Sequence, residues 1–167
     1  MTEAVPVRGQ AEEGAEPPLA WIALGSNLGD SHDTLRKALA ELGALGEVVA
    51  RSSLYRTAPV GGPPGQGDYL NAVVALRTEL PTRGLLQALL RIEERLGRVR
   101  SERWGPRTLD VDILTAVDAG AGPVSVGNSE LSLPHPRATD RHFVLAPLAE
   151  VWPDAPLGET TAVVALA

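Results

Sequence analysis

The sequence predicts an α+β fold in which one antiparallel sheet carries two helices on one of its faces. Three observations predict it. Two apolar stripes recur at three- and four-residue spacing, each closed by a glycine; short apolar or alternating runs flank them; and the resulting order is βαββαβ. That order is the signature of the split-βαβ, ferredoxin-like sandwich.

Each element has its own reason. Leu19 to Leu24 (LAWIAL) is a short apolar run ended by Gly25, too short for a helix and suited to a central strand. GSNLGD turns the chain, and Asp30 or Ser31 then caps a helix whose stripe is Leu35, Ala38, Leu39, Leu42 and Leu45, with Gly46 as the stop. Glu47 to Arg56 is β-branched and alternating enough for a strand, and Tyr69 to Thr78 is a stronger one. Between them APVGGPPGQG forbids regular structure and makes a connection longer than a hairpin needs. Pro81 and Thr82 open the second helix, with Leu85, Leu86, Leu89, Ile92, Glu93 and Leu96 on its stripe and Gly97 at its end. After an irregular, arginine-rich segment to Arg107, TLDVDILT alternates as the last core strand. A Gly-rich loop, an LPHPR turn and a short helix around Arg141 to Leu145 are additions, expected to cover part of the open sheet face.

A chain of 167 residues suits one domain. Residues 1–18 carry Glu3, Glu12, Glu13 and Glu16 against Arg8 without period and read as a disordered acidic tail, leaving 19–167 as a single domain. The net charge of −6 argues against a protein that coats nucleic acid or an anionic membrane, since both need an extended basic surface. Three of those six negative charges belong to the tail. With no cysteine there is neither a disulfide framework nor a thiolate metal site. No signal peptide and no run of about 18 apolar residues is found, so a cytoplasmic protein is the expectation.

The chemistry concentrates between Arg91 and Asp112. Asp110 and Asp112 are two apart on a strand, so both carboxylates share one face, with roughly 7 Å between their Cα atoms. Two acidic groups on a largely apolar face repel each other and lose solvation, which makes sense if cations sit between them; the alternative is an exposed strand face where both are merely solvated. Oxygen-only ligation favours Mg²⁺, which keeps waters and shares its shell with phosphate. Arg91, Arg95, Arg98, Arg100, Arg103 and Arg107 face only Glu93, Glu94 and Glu102, a local positive excess on an acidic chain. Pairing along the helix accounts for Arg91 and Arg95, but Arg98, Arg100, Arg103 and Arg107 lie beyond the Gly97 stop. An arginine loop beside a carboxylate pair describes a site for metal-bound polyphosphate. No Walker P-loop, zincin spacing or G-x-S-x-G elbow is present.

The block RVRSERWGPRTLDVDIL, together with ALGSNLGD, YRTAPVG, DYLNAVVAL and LPHPRATDRHFVLAPL, resembles the 6-hydroxymethyl-7,8-dihydropterin pyrophosphokinases of folate biosynthesis, over about residues 19 to 154. The resemblance implies transfer of a pyrophosphoryl group from ATP to the pterin hydroxymethyl oxygen by in-line attack at the β-phosphorus, releasing AMP. It implies two Mg²⁺ ions on Asp110 and Asp112, with Arg98 and Arg107 holding the triphosphate and Arg100 and Trp104 on a loop that closes over both substrates. Glu93, Ile113, Ser132, His135 and Arg141 would lie on the ATP side. Tyr69 and Phe143 would sandwich the pterin ring, Asn71 would bond its edge, and Gly25, Thr57, Ala58 and Val60 would complete that pocket with Trp104. Two of these pterin contacts have independent support: Tyr69 and Asn71 share a strand face, and a flat polar heterocycle wants stacking plus a hydrogen-bonding edge, although core packing alone would also account for Tyr69 and Phe143. Only Ser101, Glu102 and Arg103 separate Arg100 from Trp104, shorter than in some members, and Pro136 stands where some have an aromatic. A monomer is expected. The competing readings are a ligand-sensing ferredoxin-like module without catalysis and an RNA-binding module; an acidic chain without an aromatic strand motif speaks against the second.

Overall fold

The structure is a computed structural model and describes residues 18–97, 108–118, 122–123, 125–157 and 160–162. Its elements run β1 (Leu19–Ser26), α1 (Ser31–Gly43), β2 (Glu47–Arg51), β3 (Tyr55–Thr57), β4 (Tyr69–Arg77), α2 (Thr82–Arg95) and β5 (Asp110–Asp118). After these come β6 (Gly122–Pro123), β7 (Val126–Gly127), β8 (Ser132–Leu133), a 3₁₀ turn (Ala138–Asp140), α3 (His142–Val151), β9 (Pro156–Leu157) and β10 (Thr160–Thr161). The main sheet is ordered β2-β4-β1-β5-β6, with β3 also on β4, and every pair in it is antiparallel. This is the ferredoxin-like α+β arrangement, the first strand lying between the third and fourth of the βαββαβ core.

Two apolar layers hold it together. Ala20, Ile22, Leu24, Val74, Leu76, Val111 and Ile113 face α1 and α2, meeting Leu35, Ala38, Leu42, Leu85, Leu89 and Ile92. On the opposite sheet face Trp21, Val73, Ala75 and Leu114 meet Val144, Leu145 and Leu148 of α3. Trp21 stacks on Trp152 with ring centroids 4.6 Å apart, so these two scarce aromatics belong to the second core.

The helix caps follow the chemistry. The Asp30 side chain accepts the Asp33 N–H at the start of α1, and Gly97, at φ +83°, follows the Leu96 cap of α2. Four expectations are corrected in detail. Helix α1 ends at Gly43 rather than Gly46, whose backbone instead lies against β4: a Cβ built there would stand 2.1 Å from the Arg77 carbonyl oxygen. The strand expected from Glu47 to Arg56 is split into β2 and β3, because the Ser52 hydroxyl takes the Val73 N–H and breaks the ladder. The third helix runs to Val151 through Pro147, since its apolar face is buried on both sides of the proline. Arg95 pairs not along its own helix but with Glu41 of α1, 2.6 Å away. The start of the domain is tied down where Pro18 offers its carbonyl to the Thr78 N–H.

Candidate active site

Strand alternation decides which side chains meet. On β5, Val111 and Ile113 turn toward the helices, so Asp110 and Asp112 emerge on the α3 face. In register, Gly25 of β1 lies between Asn71 of β4 and Asp110 of β5, and Tyr55 of β3 follows Asn71, giving one row across four strands. Ala23 stands between Val73 and Asp112 in the same way. A cleft of about 720 Å³ opens over this floor. Its walls are Thr57 at the end of β3, Ala58, Val60 and Gly61 after it, and Arg137, Asp140, Arg141, His142 and Phe143 around the start of α3, with Tyr69 on β4.

Local packing fixes the polar groups. Asn71, 6% exposed, donates from Nδ2 to Thr57 Oγ1 at 2.6 Å, so its Oδ1 is the end turned toward Gly25. A Cβ at position 25 would come within 3.0 Å of that oxygen, which is why glycine is needed between the amide and the aspartate. Asn27 Nδ2 donates to the Gly67 carbonyl at 3.0 Å, lacing the GSNLGD turn to the loop that carries Val60 and Gly61. The Arg141 guanidinium carbon stands 5.6 Å from the Phe143 ring centroid, a cation–π contact at the cleft wall.

The cleft brings together Gly25, Thr57, Ala58, Val60, Tyr69, Asn71, Asp110, Asp112, Arg141 and Phe143 of the residues expected from sequence. It does not include four others. Ile113, 3% exposed, is in the core between sheet and helices, and Ser132 is half-buried on β8. His135 is half-buried near the cleft, donating its N–H to the Leu114 carbonyl at 2.7 Å and accepting the Arg137 N–H on Nδ1. Burial, then the Arg141 charge, and more weakly Arg137 hold its imidazole below the usual range, with Asp110 acting against them. Glu93, 3% exposed, lies on the helix side of the sheet, where Oε1 accepts the Val111 N–H at 2.9 Å. Its carboxylate therefore braces the residue between the two aspartates. Arg98, Arg100, Trp104 and Arg107 lie outside the described residues. Sequence reasoning missed Arg137, Asp140 and His142 as lining residues; Asp140 and His142 flank Arg141, which was already singled out, and only the fold shows that this segment lines the cleft.

Asp110 and Asp112 present a donor set that a hard divalent cation would fit. Both are partly exposed, both offer oxygen alone, and no group of three or more His, Cys, Asp or Glu residues that could hold a metal occurs among the described residues. Two carboxylates with room for water and ligand oxygens suit Mg²⁺, not an all-protein cage.

Residues 21–153 match the 7,8-dihydro-6-hydroxymethylpterin-pyrophosphokinase (HPPK) family. The chain belongs to this family. Among HPPK relatives, the 2-amino-4-hydroxy-6-hydroxymethyldihydropteridine pyrophosphokinase of Methylorubrum extorquens is 47% identical over 150 residues, covering 89% of this chain and 91% of that one. The enzyme of the same name from Bacillus subtilis is 45% identical over 135 residues, covering 80% and 77%. Among solved structures, wild-type Plasmodium falciparum HPPK-DHPS with pteroate superposes at a TM-score of 0.65 and 15% identity, over 93% of this chain and 43% of that longer one. That likeness shows the HPPK fold. The family makes this chain an ATP-using pyrophosphokinase of folate biosynthesis with small-molecule substrates.

Proposed function

We propose that the cleft on the α3 face is where the pyrophosphoryl group of ATP passes to the hydroxymethyl oxygen of 6-hydroxymethyl-7,8-dihydropterin, with Asp110 and Asp112 holding two Mg²⁺ ions. The observation that carries this assignment is the placement of both carboxylates on the floor of one cleft with Tyr69, Asn71 and Phe143. The pterin oxygen forms a bond to the β-phosphorus in line with the departing α-phosphate oxygen; AMP leaves, and the hydroxyl proton is released. Bound Mg²⁺ supplies neutralisation of the phosphate oxygens and alignment of donor with acceptor.

The chain's own residues do the positioning. Tyr69 and Phe143 hold the ring flat, and Asn71 Oδ1 accepts from its edge because Nδ2 is engaged by Thr57. Thr57, Ala58 and Val60 close one side, and Gly25 leaves room beneath. Arg141 lies at the nucleotide side of the wall, with His135 behind it; Ile113, packed on the helix side of the sheet, and Ser132, on β8, are not given a nucleotide contact. Arg98 and Arg107 grip the triphosphate while Arg100 and Trp104 close over both substrates; the arginine excess from 91 to 107 supports this. Glu93 acts from beneath by fixing Val111.

A monomer is proposed as the working unit. No helix among the described residues is long and apolar enough to cross a membrane. A cytoplasmic location is proposed because the reaction consumes ATP. The ligand-sensing alternative is not favoured, since the curated relatives are pyrophosphokinases by name.

The test is product identity. Incubation with ATP, Mg²⁺ and the hydroxymethyl-dihydropterin yields AMP and the pterin diphosphate, and Asp110→Asn or Asp112→Asn lowers the rate by more than about 100-fold. ADP as the nucleotide product, or variants that turn over at the wild-type rate, would sink the assignment.

A further inference from the structure

The strand break between β2 and β3 is docked on two sides. Ser52 exchanges hydrogen bonds with Val73 of β4, its N–H reaching the Val73 carbonyl at 2.8 Å and its hydroxyl taking the Val73 N–H at 2.9 Å. Ser53 turns the other way, to α3. Glu150 accepts the Ser53 N–H on both carboxylate oxygens, at 3.2 and 3.0 Å, the Ser53 hydroxyl at 2.7 Å and the Tyr55 hydroxyl at 2.7 Å. These bonds hold the Glu150 carboxyl below its ordinary range and push the Tyr55 phenol up.

Both ends of this clasp lead to the cleft. Glu150 stands seven residues after Phe143 on α3, two turns on along the same helix face. Tyr55 is the cross-strand partner of Asn71, and Thr57 that of Tyr69. β3 is only three residues long, at the low end of strand length, so its ladder with β4 pairs three residues alone and the bonds to Glu150 add a second hold. From this geometry we infer that Glu150 is a positioning residue: it sets the distance between the Phe143 wall and the β3–β4 wall and so tunes the slot for a flat heterocycle. The inference rests on the reading of the cleft as the pterin site. A slot held at its bound width binds more tightly because less ordering is left to the moment of binding.

The experiment measures binding of the hydroxymethyl-dihydropterin and of Mg²⁺–ATP separately, by calorimetry, with thermal unfolding of each variant. Glu150→Ala is expected to weaken pterin binding about fivefold and leave nucleotide binding within about twofold, with kcat at saturating pterin retained. Glu150→Gln keeps an oxygen acceptor for Ser53 and is expected to recover most of the affinity. Tyr55→Phe, which removes one bond of the clasp, gives a smaller loss and serves if Glu150→Ala does not fold. Unchanged pterin affinity in both variants overturns the inference, as does an equal loss for pterin and nucleotide that tracks the melting temperature. If the wild-type protein itself binds no pterin, the cleft assignment fails first and this inference falls with it.

Discussion

Replacing Glu93 with Ala separates two roles that the sequence leaves indistinguishable. A side chain that touched nucleotide would cost ATP affinity and leave the ligand-free fold unaffected. The structure instead buries Glu93 to 3% exposure and gives its Oε1 the Val111 N–H at 2.9 Å. Removing a charged acceptor from such a bond costs about 1.5–3 kcal/mol, and the lost side-chain burial adds to it. A net loss of about 2–3 kcal/mol lowers the melting temperature by roughly 5–10 °C for a chain of this size. Glu93→Gln keeps an acceptor oxygen and should lose about half as much. Calorimetric melting of the ligand-free protein is the assay. Since Val111 separates Asp110 from Asp112, the Ala variant should also need more Mg²⁺ for half-maximal turnover. A ligand-free melting temperature within about 1 °C of wild type, with a raised KM for ATP, would refute the bracing role.

Further outcomes are open to direct measurement. Burial and the neighbouring Arg141 depress the His135 imidazole, so NMR titration of the metal-free protein should place its midpoint below 6.5; a midpoint at or above that value contradicts the geometry. The unfolded chain then binds more protons between the two values, so this group's contribution to stability is complete above about pH 6.5 and is lost as pH falls through the folded value. Trp152→Ala removes the partner stacked 4.6 Å from Trp21 and should cost about 2–3 kcal/mol in urea unfolding, with no change in pterin affinity. Gly46→Ala should cost about 2 kcal/mol or more, because its Cβ would stand 2.1 Å from a backbone oxygen that cannot yield; wild-type stability would show that the α1–β2 turn rearranges freely.

The order of elements and the shared face of Asp110 and Asp112 were legible because both rest on periodicity, which burial enforces along each strand and helix. What was not legible depends on partners distant in sequence. Gly46 read as a helix stop, yet its reason is the backbone of Arg77 alongside. Glu93 read as facing a nucleotide, and only the packing of α2 under β5 shows that its carboxylate meets the Val111 amide. Ser52 and Ser53 looked like part of one alternating strand, because nothing local reveals that one hydroxyl serves Val73 and the other Glu150. The third helix was expected only around Arg141 to Leu145, and it continues through Pro147 because Val144, Leu145 and Leu148 are buried on both sides of the proline.

The sheet order has a consequence for how the molecule is made. β1 is synthesised before the other strands of the sheet, yet it lies between β4 and β5, and its pairing with β5 waits until synthesis reaches Asp118. Closing contacts across that span is slow relative to local helix formation, so the two helices form early while one edge of β1 stays open. The aspartates arrive on the strand that seals this edge. A nascent or truncated chain lacking β5 therefore has neither a complete core nor the acidic pair, and capacity for the reaction appears together with the finished fold.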